Sequence, residues 1–559
     1  MTIPHFTKLA LVSSIALALA ACGSSNDDDH AATPPTTPPP PAATVGDVVA
    51  LTASNRLVSF DRATPGTVRS NVLVTGMQSG ENLVGIDVRP ADGMLYGVGS
   101  TGRLYTLDAA TGAATNKSRL AADAADTTEP FTSLAGTSFG VDFNPMADRL
   151  RIVSNTGQSL RINVDSGATT TDGSINGGAA NTAISASAYT NSFAGTGSTT
   201  LYGIDGANST LYTQNPPNNG TLTTPVPLGV TIGAANGFDI DARTNMGYMV
   251  ATVGGARNLY GVNLAAASAP TTLIGALGVS EDIRGIALRG AAAPVVLGLS
   301  DDNRLMGFKV GSPNTIDTNV AITGLAGGET LVGIDVRPKD GMLYGLTSNA
   351  RLVTIDPATG AATFKATLAA DGADTTAPYA AMQGTAFAVD FNPVADRLRV
   401  IGDSGQNLRI NLDTGATTTD GTINRAGVAP RVTAAAYTNS IPNATATQLF
   451  DVDGASSVLA LQNPPNDGTL VNVGALGMTV AGDGGMDIGG GANGLVLAAL
   501  RTTAGGASSL YRIDLATGAA TPVNGAATPA TSVIGGSSGS GGSGGSGGPG
   551  VRDIAIWLR

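Results

Sequence analysis

Six aspartates recur at one spacing, and the chemistry available to this chain starts with them. Asp87, Asp142 and Asp239 each follow a small-apolar pair inside a short apolar run, and Asp335, Asp390 and Asp487 repeat the set at a constant offset of 248 residues. Carboxylates converging from several strands suit a hard cation such as Ca²⁺, which takes several oxygen ligands. An aspartate just ahead of a turn equally serves as an acceptor for backbone N–H groups. Side-chain alternation separates the two, because a shift of one residue aims the carboxylates into the packing between sheets instead of at a shared axis.

A second set is Arg149 and Arg151, repeated as Arg397 and Arg399, within the text V-D-F-N-P-x-A-D-R-L-R at Val141–Arg151 and Val389–Arg399. Guanidinium forks at these positions are candidates for anion binding, or for ion pairs with Asp148 and Asp396 across neighbouring sheets. The loop Gln-Asn-Pro-Pro-Asn at 214–218 and 462–466 is a stiff polar segment, suited to display or simply to turning. Other classes fall by subtraction. The histidines, His5 and His30, and the single cysteine, Cys22, all precede the repeats. The repeats therefore hold no Ser-His or Cys-His nucleophile system and no imidazole or thiolate ligand for zinc, copper or haem. Glycoside hydrolysis needs two carboxylates of different acidity, and Glu81 and Glu329 are the only glutamates at matching positions. A Ca²⁺-dependent hydrolase or lyase using the aspartates stays open, and no residue is assigned as catalytic.

Short strands must carry these residues. Leu83–Pro90, LVGIDVRP, returns at Leu331–Pro338, and inside each copy a unit of about four strand-like runs separated by Gly, Pro, Asn and Asp turns recurs, clearest over Leu83–Thr115. Comparable units begin at Phe139, Ile184 and Gly237. The unit at Val48 lacks its first strand, and a spare one appears at Ile283–Arg289. A single four-stranded sheet leaves both faces exposed, whereas radial stacking of similar sheets buries them. The expectation is an all-β, propeller-like fold with about five four-stranded blades per copy, residues 46–290 and 294–559, with a β-solenoid or a pair of sandwiches as the alternative. Gly290–Pro294 spans at most about 17 Å, which favours one large ring of ten blades over two small rings. Against that, the Gly/Ser-rich segment 535–550 is a flexible tether that lets the final strand, Val551–Arg559, travel to a distant blade.

Lys8 precedes an apolar stretch, Leu9–Ala21, too short for a permanent membrane helix, so residues 1–21 are expected to be a signal peptide. Residues 22–45, with the acidic cluster Asp27–Asp29 and TPPTTPPPPAAT, are expected to be an extended linker with nothing to bury. The net charge of −12 and the lack of any Lys/Arg run exclude nucleic acid as a partner. Only 13% of the 559 residues are charged while 76 are glycine, which suits a turn-rich β fold.

Three resemblances add to this. Leu19-Ala20-Ala21-Cys22 resembles the lipobox of bacterial lipoproteins, which implies lipidation of Cys22, and Gly23-Ser24 after it resembles outer-membrane sorting text. The turns D-x-x-T-G at Asp108, Asp356 and Asp514 resemble those of quinone-cofactor propeller dehydrogenases, but those repeats carry a docking tryptophan and this chain's single one is Trp557. No cofactor is expected beyond Ca²⁺. Finally, V-D-F-N-P-x-A-D-R-L-R, G-I-D-V-R-P and Q-N-P-P-N together resemble a bacterial family of exported proteins known as domain of unknown function 4394, present twice between about Val45 and Arg559. The resemblance implies exported repeat-containing β structure and no catalytic residues. The expected function is a lipid-anchored envelope propeller that binds a protein or a glycan. The alternatives are the Ca²⁺-dependent enzyme and a purely structural envelope protein.

Overall fold

The computed structural model describes residues 44–558 except 234–235, 291–292, 526–528 and 537–547. The expected signal peptide, Cys22, nearly all of the linker and most of the Gly/Ser segment lie outside the described residues. No described helix is long and apolar enough to cross a membrane.

Strands form because the apolar runs are short, rich in Val, Ile, Leu and Tyr, and cut by turn chemistry. In Asp108-Ala-Ala-Thr-Gly112, for example, Asp108 Oδ1 accepts the N–H groups of Ala110 and Thr111 at 2.8 and 3.2 Å, and Gly112 supplies the positive φ, 76°. Among the described residues the strands assemble into ten sheets, antiparallel except for one short parallel pairing in two of them, each led by an inner strand. In the first copy the inner strands are Ile283–Leu288, Leu83–Val88, Phe139–Asn144, Ile184–Tyr189 and Asn236–Ile240 (blades I to V). In the second they are Val551–Trp557, Leu331–Val336, Phe387–Asn392, Val432–Tyr437 and Gly485–Gly489. Inner strands are buried nearly throughout, whereas outermost strands such as Ala114–Arg119 are exposed or half-buried along their length and present polar edges. Blade III of each copy gains a short parallel strand, Ala121–Ala122 or Ala369–Ala370, from the loop that enters it.

Each copy closes on itself. Ile283–Leu288 pairs with Val48–Thr52 (Val48 opposite Leu288), and Val551–Trp557 pairs with Val295–Ser300 (Val295 opposite Trp557). In each copy the five inner strands pack one on the next in a complete cycle. The structure thus corrects the preference for one ring of ten: there are two rings of five. Ile283–Leu288 and Val295–Ser300, which look like successive strands of one blade, belong to different sheets. The short link between them suffices because Val296, which follows it, packs in a cluster shared with Phe193 and Ala242 of the first ring.

Glycine lets neighbouring inner strands approach closely at two junctions of the first ring; Gly485 repeats Gly237 in the second, while Ala388 stands where the first has Gly140. A Cβ on Gly140 would lie 2.4 Å from Ser187 N, and one on Gly237 would lie 2.7 Å from Ile286 N. Neighbouring inner strands approach at these points more closely than any side chain allows.

Candidate carboxylate clusters on the ring axes

The first strand of a blade ends where it turns outward, and there the aspartates meet. Asp87, Asp142 and Asp239 each bring a carboxylate oxygen within 4.8 Å of the others, and so do Asp335, Asp390 and Asp487. All six are buried. The structure brings together both sets that the sequence singles out, and alternation aims them at a common point.

Their hydrogen bonds show what holds them. Asp87 Oδ1 accepts its own strand's Val88 N–H at 2.7 Å, and Oδ2 accepts Phe143 N–H of the next inner strand at 2.7 Å. Asp239 does the same with Ile240 and Leu288, both at 2.6 Å, and Asp142 accepts Tyr189 N–H at 3.0 Å. Asp335 accepts Val336 and Phe391 at 2.6 and 2.8 Å, Asp390 accepts Tyr437 at 2.9 Å, and Asp487 accepts Ile556 at 2.5 Å. Each carboxylate thus stitches one blade to the next across inner strands. Ala188 and Ala287 stand at the corresponding places on the first ring's other two inner strands. In the second ring Asp553, which follows Val551-Arg552 and so lacks the small residue that marks the other six, adds a stitch from the closing strand to Ile334 N–H at 2.8 Å, where the first ring has Gly285.

Burial, with like charge from a neighbour, opposes ionisation. Burial and then the charge of Asp239 raise Asp87 well above the usual carboxylate range; burial and then Asp87 and Asp239 raise Asp142. Asp239 is pushed up to about 7 and Asp487 to about 6, in both cases chiefly by burial. Asp335 and Asp390 rise for the same first reason, with Asp487 and Asp335 respectively as the leading like charges. Such a cluster keeps protons near neutrality or exchanges them for a cation. Asp142 and Asp390 each accept one hydrogen bond among the described residues, leaving a second oxygen for that exchange. Above the first cluster lies a cavity of about 90 Å³ bordered by Arg62, Asp241, Arg243 and Arg289.

The arginines divide. Arg151 is fully buried and spends every nitrogen within the protein: Nε on Tyr189 Oη at 3.2 Å, Nη1 on Ser159 Oγ at 3.1 Å and on Asp172, and Nη2 on Asn218 Oδ1 at 2.8 Å. Arg399 repeats this with Tyr437, Asn407, Asp420 and Asn466. The last partners, Asn218 and Asn466, end the Gln-Asn-Pro-Pro-Asn loops, so those loops latch blade IV to blade III. Arg149 and Arg397 lie near the surface and donate to carbonyls of their own turn, Asp148 O at 3.0 Å and Asp396 O at 3.1 Å. Asp148 and Asp396 instead receive bidentate forks from Arg89 and Arg337, at 2.6–2.8 Å, across the junction of blades II and III. Glu81 accepts from Thr101 and Tyr105, and Glu329 from Thr347 and Arg351; neither stands at a cluster.

The family model described as Domain of unknown function (DUF4394) matches residues 56–287 and again 304–535. The chain belongs to this family. Each DUF4394 match corresponds to one ring, and the second stops short of the closing strand Val551–Trp557. None of the curated proteins matches this DUF4394 chain. Among solved structures it is similar to the extracellular domain of the putative one component system BT4673 from B. thetaiotaomicron. That alignment has 11% identity, covers 84% of this chain and 58% of the other, and has a TM-score of 0.24. The extracellular domain of the putative hybrid two component system BT4673 gives 11% identity, 82% and 61% coverage and a TM-score of 0.22. The computationally designed Ika8 protein gives 10%, 79%, 99% and 0.20. The chain thus spans about three fifths of the length of the first two.

Proposed function

We propose that this DUF4394 chain is a non-catalytic binding module, displayed at the bacterial cell envelope on a lipidated Cys22 and engaging an envelope protein or a glycan. The observation that carries this is the employment of the six cluster aspartates: each accepts a backbone N–H group from the next blade's inner strand, so the strongest catalytic candidates do structural work. Anion recognition through guanidinium groups would rest on Arg149 and Arg397, since the donors of Arg151 and Arg399 are occupied. The test has two arms. Radiolabelled palmitate should enter the full-length protein and not a Cys22→Ser variant, and crosslinking in intact cells should recover the same envelope component repeatedly. Absence of label together with unmodified recovery of the protein from the soluble fraction would rule the reading out.

A second reading has its own observation, the mutual approach of three buried carboxylates in each ring. A Ca²⁺ ion taken up by Asp87, Asp142 and Asp239, or by Asp335, Asp390 and Asp487, would make the chain a metal-dependent hydrolase or lyase candidate. Binding to the folded state alone raises stability by about 2.7 kcal/mol at a hundredfold excess over Kd. A melting midpoint unchanged between chelator and added Ca²⁺ removes this reading.

A further inference from the structure

The two rings meet through equivalent loops used differently. In each ring the loop after the inner strand of blade IV lies beside blade V of the other. The first ring's loop seats tightly: Asn191 Nδ2 donates to Gly491 O at 2.8 Å, Thr196 Oγ1 to Gly494 O at 3.1 Å, and Phe193 is buried in a cluster with Leu495 and Ile556 of the second ring. The second ring permits this by offering Gly490, Gly491 and Gly494 where the first has Ala242, Arg243 and Met246. A Cβ on Gly491 would lie 2.6 Å from Asn245 Nδ2, and one on Gly494 would lie 3.0 Å from Asn191 and Thr196. At the reciprocal contact those glycines are absent, Met246 stands in place of Gly494, and the second ring's loop, residues 439–446, is held off. A cleft of about 470 Å³ remains between the rings.

We propose that this cleft binds a short uncharged glycan. The inference rests on the binding-module reading and names the site and ligand class for it. Its volume lies within the range of small-ligand sites, which favour domain junctions. Its walls carry hydroxyls and amides, among them Thr200, Asn263, Asn443 and Thr445, and no Asp, Glu, Lys or Arg. Hydroxyl and amide groups both donate and accept, as sugar hydroxyls do. A charged ligand would be desolvated there with no countercharge. The Asn443 amide and Thr445 hydroxyl make no hydrogen bond among the described residues and are available to a ligand. Half-buried Tyr202 and Met246 supply apolar surface for the C–H face of a sugar ring.

Isothermal titration of the full-length protein in detergent with maltotriose, cellotriose and chitotriose, against trigalacturonate as the acidic control, tests this. Saturable binding of a neutral trisaccharide is expected, with none for trigalacturonate. Ala265→Arg and Thr445→Arg, at exposed positions of the lining, should weaken that binding by about tenfold or more while leaving the melting midpoint unchanged. Neutral sugar bound equally by both variants overturns the cleft and leaves the module reading standing. No neutral sugar bound, or a preference for trigalacturonate, overturns the cleft. If envelope crosslinking also recovers nothing, the module reading falls with it.

Discussion

Asp239 accepts the backbone N–H of Leu288 at 2.6 Å, joining the inner strand of blade V to the strand that closes the first ring. Asp487 makes the equivalent bond to Ile556 in the second. Ring closure in both copies thus runs through a buried carboxylate.

Replacing Asp239 or Asp487 by Ala strands two buried N–H groups and should cost about 2–4 kcal/mol. Asn, which keeps one acceptor, should cost less. Denaturant unfolding with comparison of midpoints and m-values reads both, and equal losses for Ala and Asn would show that the acceptor role is secondary.

The raised acidities give stability an uncommon pH profile. Asp239 at about 7 and Asp487 at about 6 bind protons in the folded state that the unfolded chain, with carboxyls near about 4, has already released. Their contribution is complete below about pH 4 and is lost as pH rises through about 6 and 7. Asp396, held low by hydrogen bonds from Arg337, acts in the opposite direction and loses its contribution as pH falls below about 4. The melting midpoint should therefore be higher at pH 5 than at pH 8, and Asp239→Asn should flatten that difference.

Arg151→Ala removes a buried partner of Asp172. Arg161, at 2.7 Å, still pairs with that carboxylate, so the loss should fall near the lower end of the usual range, about 3 kcal/mol. Arg149→Ala, which removes only bonds to its own exposed turn, should change stability by under about 0.5 kcal/mol. Similar losses for the two would contradict the assignment of Arg151 as the latch between blades.

Phe193→Ala empties a buried site shared by both rings and should cost about 3–5 kcal/mol. It should also uncouple the rings, so that calorimetry resolves two transitions where a single one is expected of the parent. A single shifted transition would mean the junction tolerates the loss of its plug.

Asp451 is fully buried in blade IV of the second ring, and neither of its carboxylate oxygens has a hydrogen-bond partner among the described residues. The corresponding residue of the first ring is Gly203, and a Cβ there makes only ordinary contact, 3.4 Å, with Ile184. Asp451→Ala should stabilise the protein by about 1–3 kcal/mol. The gain should grow as pH rises, because burial raises this carboxyl and its ionisation is what the folded state resists.

Much of this was legible in the chain itself. The 248-residue offset, the alternation of apolar runs with turn text and the spare strand at Ile283–Arg289 determine two copies of five four-stranded blades, because each blade is specified by neighbours close in sequence. The identity of the cluster aspartates was equally local, since a small residue two places before each carboxylate marks the same point on three inner strands of each ring. Ring number was decided elsewhere. Whether Ile283–Leu288 pairs with Val48–Thr52 or continues into Val295–Ser300 is a choice between contacts far apart in sequence, and the apolar texts suit either. The fate of Arg151 was likewise tertiary: its partners Asp172, Tyr189 and Asn218 come from three separate strands and loops. So was the cleft between the rings, which exists because glycines line one of two equivalent contacts and larger side chains the other, a difference that acquires meaning only when the rings are packed together.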